Sequence, residues 1–300
     1  MTRLALPAPE PALPKFGDIV ELSKPITWFP PMWAFGCGVV ASGVPVMERW
    51  EALLAGVLLT GPLVCGTSQI VNDWYDRHVD AINQPARPIP SGRIPGRWGL
   101  WLAIAGTLLS LGVAALTGWL VLMATTAALF FAWAYSAPPL RLKTSGWWGP
   151  LSVALSYEGL TWLTGSALML GALPSAPVLA VLLLYSLGAH GIMTLNDFKA
   201  IEGDRKMGIR SLPATLGPER AARIACWTMA VPQVAVVALL FSMGLVVAGA
   251  VVSVGLVLQI ACMARLRRDP RGLAPWYNGT GVTLYVLGML ASAFGLGSLT

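Results

Sequence analysis

Nine stretches of the chain are apolar on every side of a helical projection and close to the ~20 residues that cross a hydrocarbon core. They are predicted at 27–47, 51–72, 98–117, 119–136, 147–170, 175–195, 221–242, 244–264 and 276–298. Backbone inside lipid must satisfy its own hydrogen bonds, so these stretches are predicted as helices and the fold as all-α, a polytopic bundle of nine transmembrane helices. The connections alternate in character. After the first, third, fifth and seventh stretches they are very short and almost uncharged, and after the second, fourth, sixth and eighth they are longer and basic. Residues 1–20, with four prolines ahead of Lys15, are predicted as a short unfolded tail, and residues 21–300 as a single intramembrane domain.

Composition sharpens this picture. The 300 residues include 20 Lys and Arg and 14 Asp and Glu, 11% charged against about 25% in soluble domains, while 56% are hydrophobic. A disordered chain, a coiled coil and almost any soluble fold are excluded. The net charge of +6 does not point to nucleic acid, because 19 of the 20 basic residues fall on the N-terminus and the longer loops, leaving Arg49 alone on the other side. By the positive-inside rule those loops are cytoplasmic, which places the N-terminus inside and the C-terminus outside. Trp28, Trp50, Trp98, Trp119, Trp147 and Trp276 lie near stretch ends, as an aromatic belt does. Cys37, Cys65, Cys226 and Cys262 are scattered through apolar stretches and form no metal or redox motif; they are expected to pack.

The acids share the basic face, and topology does not explain them. Eleven of the 14 lie there, the exceptions being Glu48, Glu51 and the intramembrane Glu158. Two motifs account for the excess: NDWYDRHVD at 72–80 and NDFKAIEGD at 196–204. An offset of 124 residues lays Asn72 on Asn196, Asp73 on Asp197 and Asp80 on Asp204, with Asp76 falling on Ala200. Such self-similarity predicts two related halves facing a shared site. On a continuous helix Asn72, Asp73, Asp76 and Asp80 occupy an arc of roughly 100°, as do Asn196, Asp197 and Asp204, while Glu202 and His78 point away. Either motif alone reads equally well as a solvated helix end. As a pair they form a stripe of hard oxygen ligands suited to Mg²⁺, which takes a few carboxylates together with substrate phosphates.

Arg87, Arg93, Arg141, Lys143, Arg205, Lys206 and Arg210 are interleaved with these acids. Topology owns part of that set. A metal-bridged diphosphate would use the rest, and Arg87, Arg141 and Lys143 stand out because RPIPSG and YSAPPLRLK return to the membrane ends. An allylic prenyl diphosphate fits acidic helices, cations and an apolar bundle together. A transporter would place its polar groups near the midplane, and a pigment scaffold would carry several intramembrane histidines where this chain has His190.

The motifs NDWYDRHVD and NDFKAIEGDR, with YSAPPLRLK between them, resemble those of the UbiA-type intramembrane prenyltransferases, a nine-helix family. Within that family ELSKPITWFPPMWAFGCG, NDWYDRHVDAINQPARPIPSGR and LNDFKAIEGDRKMGIRSLP are similar to the chlorophyll synthase branch, most of all to its bacteriochlorophyll synthases, from about residue 16 to the C-terminus. The resemblance implies Mg²⁺-dependent transfer of a geranylgeranyl or phytyl group from its diphosphate to the propionate of bacteriochlorophyllide a, with two ions bridging the diphosphate. It implies a metal set of Asn72, Asp73, Asp76, Asp80, Asn196, Asp197 and Asp204, with Asp73, Asp76, Asp197 and Asp204 catalytic. Related aromatic prenyltransferases carry a further Asp where Ala200 stands, so the two metal half-sites are not expected to be symmetric. Arg87, Arg141, Lys143, Arg205, Lys206 and Arg210 are implied to meet the diphosphate, and Tyr135, Glu158, His190 and Lys24 to line the acceptor pocket. For Glu158 a buried structural hydrogen bond stands beside a substrate role, and for His190 a core role beside ligation of the pigment's Mg²⁺. The implied setting is the lipid bilayer of a bacterial inner or intracytoplasmic photosynthetic membrane, with association with other pigment-biosynthesis or photosystem-assembly proteins. An aromatic quinone precursor such as 4-hydroxybenzoate is the alternative acceptor.

Overall fold

A computed structural model describes residues 13–299. The first helix among the described residues is short, α1 (Phe16–Leu22); it begins within the stretch 1–20 expected to be tail and runs two residues past it, and residues 1–12 of that tail fall outside the described residues. Nine longer helical rods follow among the described residues: α2 (Phe29–Ala41), α3 (Val46–Asn83), α4 (Trp98–Thr117), α5 (Trp119–Ser136), α6 (Trp148–Ala154 continuing through Leu155–Leu160 to Thr161–Leu170), α7 (Ala176–Lys199), and, after the short α8 (Ile201–Met207) and α9 (Leu212–Leu216), α10 (Pro218–Ser242), α11 (Val246–Leu266) and α12 (Pro270–Gly297).

Seven of these rods are long and apolar enough to cross a membrane, two fewer than the expected nine. The remaining two depart for local reasons. Pro25 starts a 3-10 turn, Pro25–Thr27, ahead of α2 and leaves that helix 13 residues. Helix α6 carries Ser152, Ser156, Tyr157, Glu158, Thr161, Thr164 and Ser166, which lower its apolarity. At 38 residues α3 is far longer than the span expected at 51–72, because the first acidic motif continues it without a break. About 57 Å of helix cannot fit in a ~30 Å hydrocarbon core, so the motif end stands at or beyond its edge.

The core is divided. The largest cluster, including Trp162, Tyr185, Met229, Tyr277 and Tyr285, joins α2, α6, α7, α10, α11 and α12, and a second, including Phe35, Leu59 and Val121, joins α2, α3, α4, α5 and α6. Helices α2 and α6 touch backbone to backbone: a Cβ at Gly38 would lie 2.1 Å from the Trp162 carbonyl oxygen, and one at Gly165 2.2 Å from that of Phe35. Small residues permit this approach where no hydrophobic force drives helices together. Two buried glutamines of this core are paired, Gln233 donating to Gln259 at 2.7 Å and Gln259 to the Tyr277 hydroxyl at 3.1 Å.

Two rods contain π-helical segments, Leu59–Cys65 in α3, which holds Pro62, and Leu155–Leu160 in α6. Such bulges inside α-helices concentrate at functional sites. The two acidic motifs fold differently. Motif 72–80 stays helical, whereas 196–204 breaks: Asp197–Lys199 forms a 3-10 turn, Ala200 leaves the helix at φ −110° and ψ 4°, and α8 begins again at Ile201. The expected continuous stripe of Asn196, Asp197 and Asp204 is therefore corrected. The 3-10 turn redirects the chain, so Asp204 belongs to a separate helix from Asn196 and Asp197.

Candidate active site

A cavity of about 530 Å³ opens between α2, α3, α5, α6 and α7, within the ~300–1,000 Å³ range of ligand sites. Its polar end is formed by Asn72, Tyr135, Lys143, Asn196 and Asp197, bringing both motifs to one place. Its body is apolar, walled by Pro30, Pro31, Val64, Ala128, Phe131 and Val153 among others.

The first motif is held by cations. Asp73 is buried, and its Oδ1 accepts from Lys24 Nζ at 2.6 Å and from Arg87 Nη1 at 3.2 Å. The same Arg87 nitrogen reaches Asp80 Oδ2 at 2.6 Å, which clips the two carboxylates together. Lys143 donates to Asp76 Oδ1, and Asn72 Nδ2 reaches both Asp76 Oδ2 and Ser136 Oγ at 3.1 Å. Burial pulls the Lys143 ammonium below its ordinary pKa, and the Asp76 charge opposes that. Lys24 and Arg141 are the two non-glycine residues with positive φ among the described residues, at 48° and 39°. Backbone strain of this kind collects at functional sites.

The second motif is arranged otherwise. Asp204 Oδ2 accepts from Ser211 Oγ at 2.5 Å, and burial raises its carboxyl above the ordinary value against that bond. Asn196 Oδ1 accepts from Asn278 of α12 at 3.2 Å. Among the described residues no three Asp, Glu, His or Cys side chains converge as a ready metal cage. Mg²⁺ does not require one, since it is held by one or two carboxylates, water and substrate phosphate. The donor set at this end is hard oxygen, and Asp73 Oδ2 is buried with no hydrogen-bond partner, so the residues fit that ion.

Residues 28–296 match the UbiA prenyltransferase family. The chain belongs to this family. The bacteriochlorophyll synthase 33 kDa chain of Cereibacter sphaeroides is 55% identical over 96% of this UbiA prenyltransferase and 95% of its own length, and the chloroplastic chlorophyll synthase of Avena sativa 36% over 91% and 75%. A UbiA homolog from Archaeoglobus fulgidus bound to GPP and Mg2+ shares the fold, at a TM-score of 0.69 and 20% identity over 91% of this chain and 99% of that one.

In this UbiA prenyltransferase several predicted site residues take other places. Arg141, Arg205, Lys206 and Arg210 are exposed, and Arg205 donates to the Ala214 carbonyl at 3.1 Å. Glu158 and His190, expected to line the acceptor pocket, are buried but do not line the cavity. It is Tyr157, one residue before Glu158 and turned to another helix face, that does. His190 stacks on Trp147 with ring centroids 5.5 Å apart. Lys24 lies on Asp73 at the first motif. The sequence did not single out Tyr157, Gln69, Cys65, Ser136 or Ser211. Tyr157 accepts from Gln69 at 3.0 Å and from the Cys65 thiol at 3.3 Å, a polar waist halfway down the cavity. The signals they offered were positional: Ser136 lies in YSAPPLRLK, Ser211 in LNDFKAIEGDRKMGIRSLP, Tyr157 beside Glu158 and Gln69 one turn before the first motif.

Proposed function

We propose that this prenyltransferase esterifies the propionate of bacteriochlorophyllide a with a geranylgeranyl or phytyl group from its diphosphate. The observation that carries the proposal is the division of one cavity into a carboxylate, amide and lysine end and a hydrocarbon body. The 55% identity to a bacteriochlorophyll synthase chain supports this acceptor over a quinone precursor. The bias of 19 basic residues to one side supports placing the motif end in the cytoplasm.

Asn72, Asp73 and Asp76 of the first motif and Asp197 of the second would hold Mg²⁺, which would supply the positive charge that a departing diphosphate needs. Lys143 and Arg87 already face those carboxylates. With a diphosphate present, Lys143, which lines the cavity, would exchange carboxylate for phosphate oxygen and so favour the charge that grows as the bond breaks, while Arg87 would hold Asp73 and Asp80 together. The allylic C–O bond breaks with its electron pair leaving on pyrophosphate. The apolar walls around Phe131 and Val153 keep water from the allylic cation. A propionate is ionised at neutral pH, so its oxygen forms the new C–O bond without a general base.

Purified protein in lipid nanodiscs, supplied with bacteriochlorophyllide a, geranylgeranyl diphosphate and Mg²⁺, is expected to yield esterified pigment. Chelation should abolish the product and added Mg²⁺ restore it. Prenylated 4-hydroxybenzoate in a parallel reaction, with no esterified pigment, would overturn the acceptor assignment.

A further inference from the structure

The cavity has a depth as well as a polarity. Thr60 lies twelve residues below Asn72 on α3, about 18 Å of helix. On α5 the residues Ala128, Phe131, Ala132 and Tyr135 form one stripe from the deep end to the polar end. Around the deep end three threonines direct their hydroxyls into their own helices. Thr60 donates to the Gly56 carbonyl at 2.8 Å, Thr164 to that of Leu160 at 2.7 Å, and Thr161 to that of Tyr157. With the hydroxyls so engaged, the deep end offers no free donor and suits hydrocarbon.

Below this floor is a second void of about 10 Å³, room for roughly one water molecule. Thr60, Val64, Ala128 and Thr161 line both spaces, so they form the partition between them, and Leu59, Ala124 and Leu160 close the far side. The two π segments supply Leu59, Thr60, Val64 and Leu160. Both helices thus leave regular α geometry where the cavity ends.

We propose that this partition measures the prenyl chain: Ala128 and Val64 decide how many isoprene units the cavity admits. The inference rests on the prenyl diphosphate reading above and adds a length limit to it. Ala128 is the smallest of the partition residues and lies two helical turns below Tyr135. A larger side chain there shortens the hydrocarbon space and leaves the polar end alone. Trimming Val64 removes part of the partition and gives the deep end more room, from the lost methyl groups together with the small void behind them.

The test is binding of prenyl thiolodiphosphates of ten, fifteen, twenty and twenty-five carbons, with Mg²⁺ and no acceptor, to the full chain in nanodiscs. Ala128→Leu should weaken the twenty-carbon ligand at least about tenfold relative to the ten-carbon one, the scale of discrimination that a methylene or more carries in an apolar pocket. Val64→Ala should shift relative binding the other way, toward the longer ligands of the series. Equal effects of Ala128→Leu on every length would overturn the proposal. If that variant does not fold, an unchanged length profile in Val64→Ala overturns it. Wild-type protein that binds no prenyl thiolodiphosphate would remove the donor assignment itself, whereas binding with unshifted length preference in the variants removes only the length limit.

Discussion

The amide of Gly146 donates to the carbonyl of Arg210 at 2.9 Å, and the amide of Arg210 returns a bond to the Thr144 carbonyl at 2.9 Å. This two-bond bridge ties the loop after α5 to the loop after α8. It also joins the halves of the site. Lys143, on Asp76, is three residues before Gly146, and Ser211, on Asp204, immediately follows Arg210.

Gly146→Ala is expected to part these loops. A Cβ there would stand 2.6 Å from the Leu212 amide nitrogen and 2.7 Å from the Arg210 carbonyl oxygen, both backbone atoms that cannot rotate away. Overpacking of this kind costs about 1–3 kcal/mol. The expected outcome is a fall in kcat of roughly tenfold or more with the helical bundle intact, checked by steady-state kinetics beside circular dichroism. Unchanged kinetics would show that the bridge does not position the site.

Asp76→Asn should lower kcat by on the order of 100-fold, the scale seen when one electrostatic partner of a developing charge is removed. Asp204→Asn should do the same, although its carboxyl is bonded to a serine instead of a lysine. Thermal unfolding in detergent should change little for either. Near-normal turnover in both variants would argue against a shared metal-diphosphate site.

Glu158→Gln should reduce turnover less than either aspartate change. Glu158 is 5% exposed, its Oε2 has no hydrogen-bond partner, and it does not line the cavity. An isosteric amide removes a carboxyl that nothing in its surroundings compensates. Turnover measured with saturating donor and acceptor decides this, and a dead enzyme would give Glu158 a part in the chemistry.

Arg93 bonds Asp18 at 2.6 Å and Glu21 at 2.6 and 2.7 Å, which fastens α1 to the loop after α3. The guanidinium holds the Glu21 carboxyl below its ordinary pKa. A depressed carboxyl stabilises the contact above the unfolded value and loses that contribution as pH falls through the lowered one. The protection factors of the α1 amides, taken relative to the intrinsic exchange rate at each pH, should therefore fall in acid, and in Arg93→Ala they should be low at neutral pH already. Slow exchange in that variant would show that apolar contacts such as Leu22 suffice.

The positions of the helical rods were legible because a helix in lipid is apolar all round over a length set by the bilayer. That same property hid which face each rod turns inward. Glu158 stood out as the one intramembrane carboxylate, yet the neighbouring Tyr157 reaches the cavity, and a π segment runs through both. Face assignment needs an apolar stripe against a polar one, and buried spans carry none.

The apolar stretches determined the membrane class, and charge patterning the two acidic motifs and the one end of the bundle where they gather, since carboxylates near lipid are too costly to be incidental. Tertiary structure alone decided how those charges are paired. It set Lys24 and Arg87 on Asp73, Lys143 on Asp76 and Ser211 on Asp204, and it broke the second motif at Ala200. These pairs come from segments up to 67 residues apart, joined only when the loops fold back over the helix ends. A linear pattern records which side of the membrane a charge occupies; the partner it meets there depends on packing.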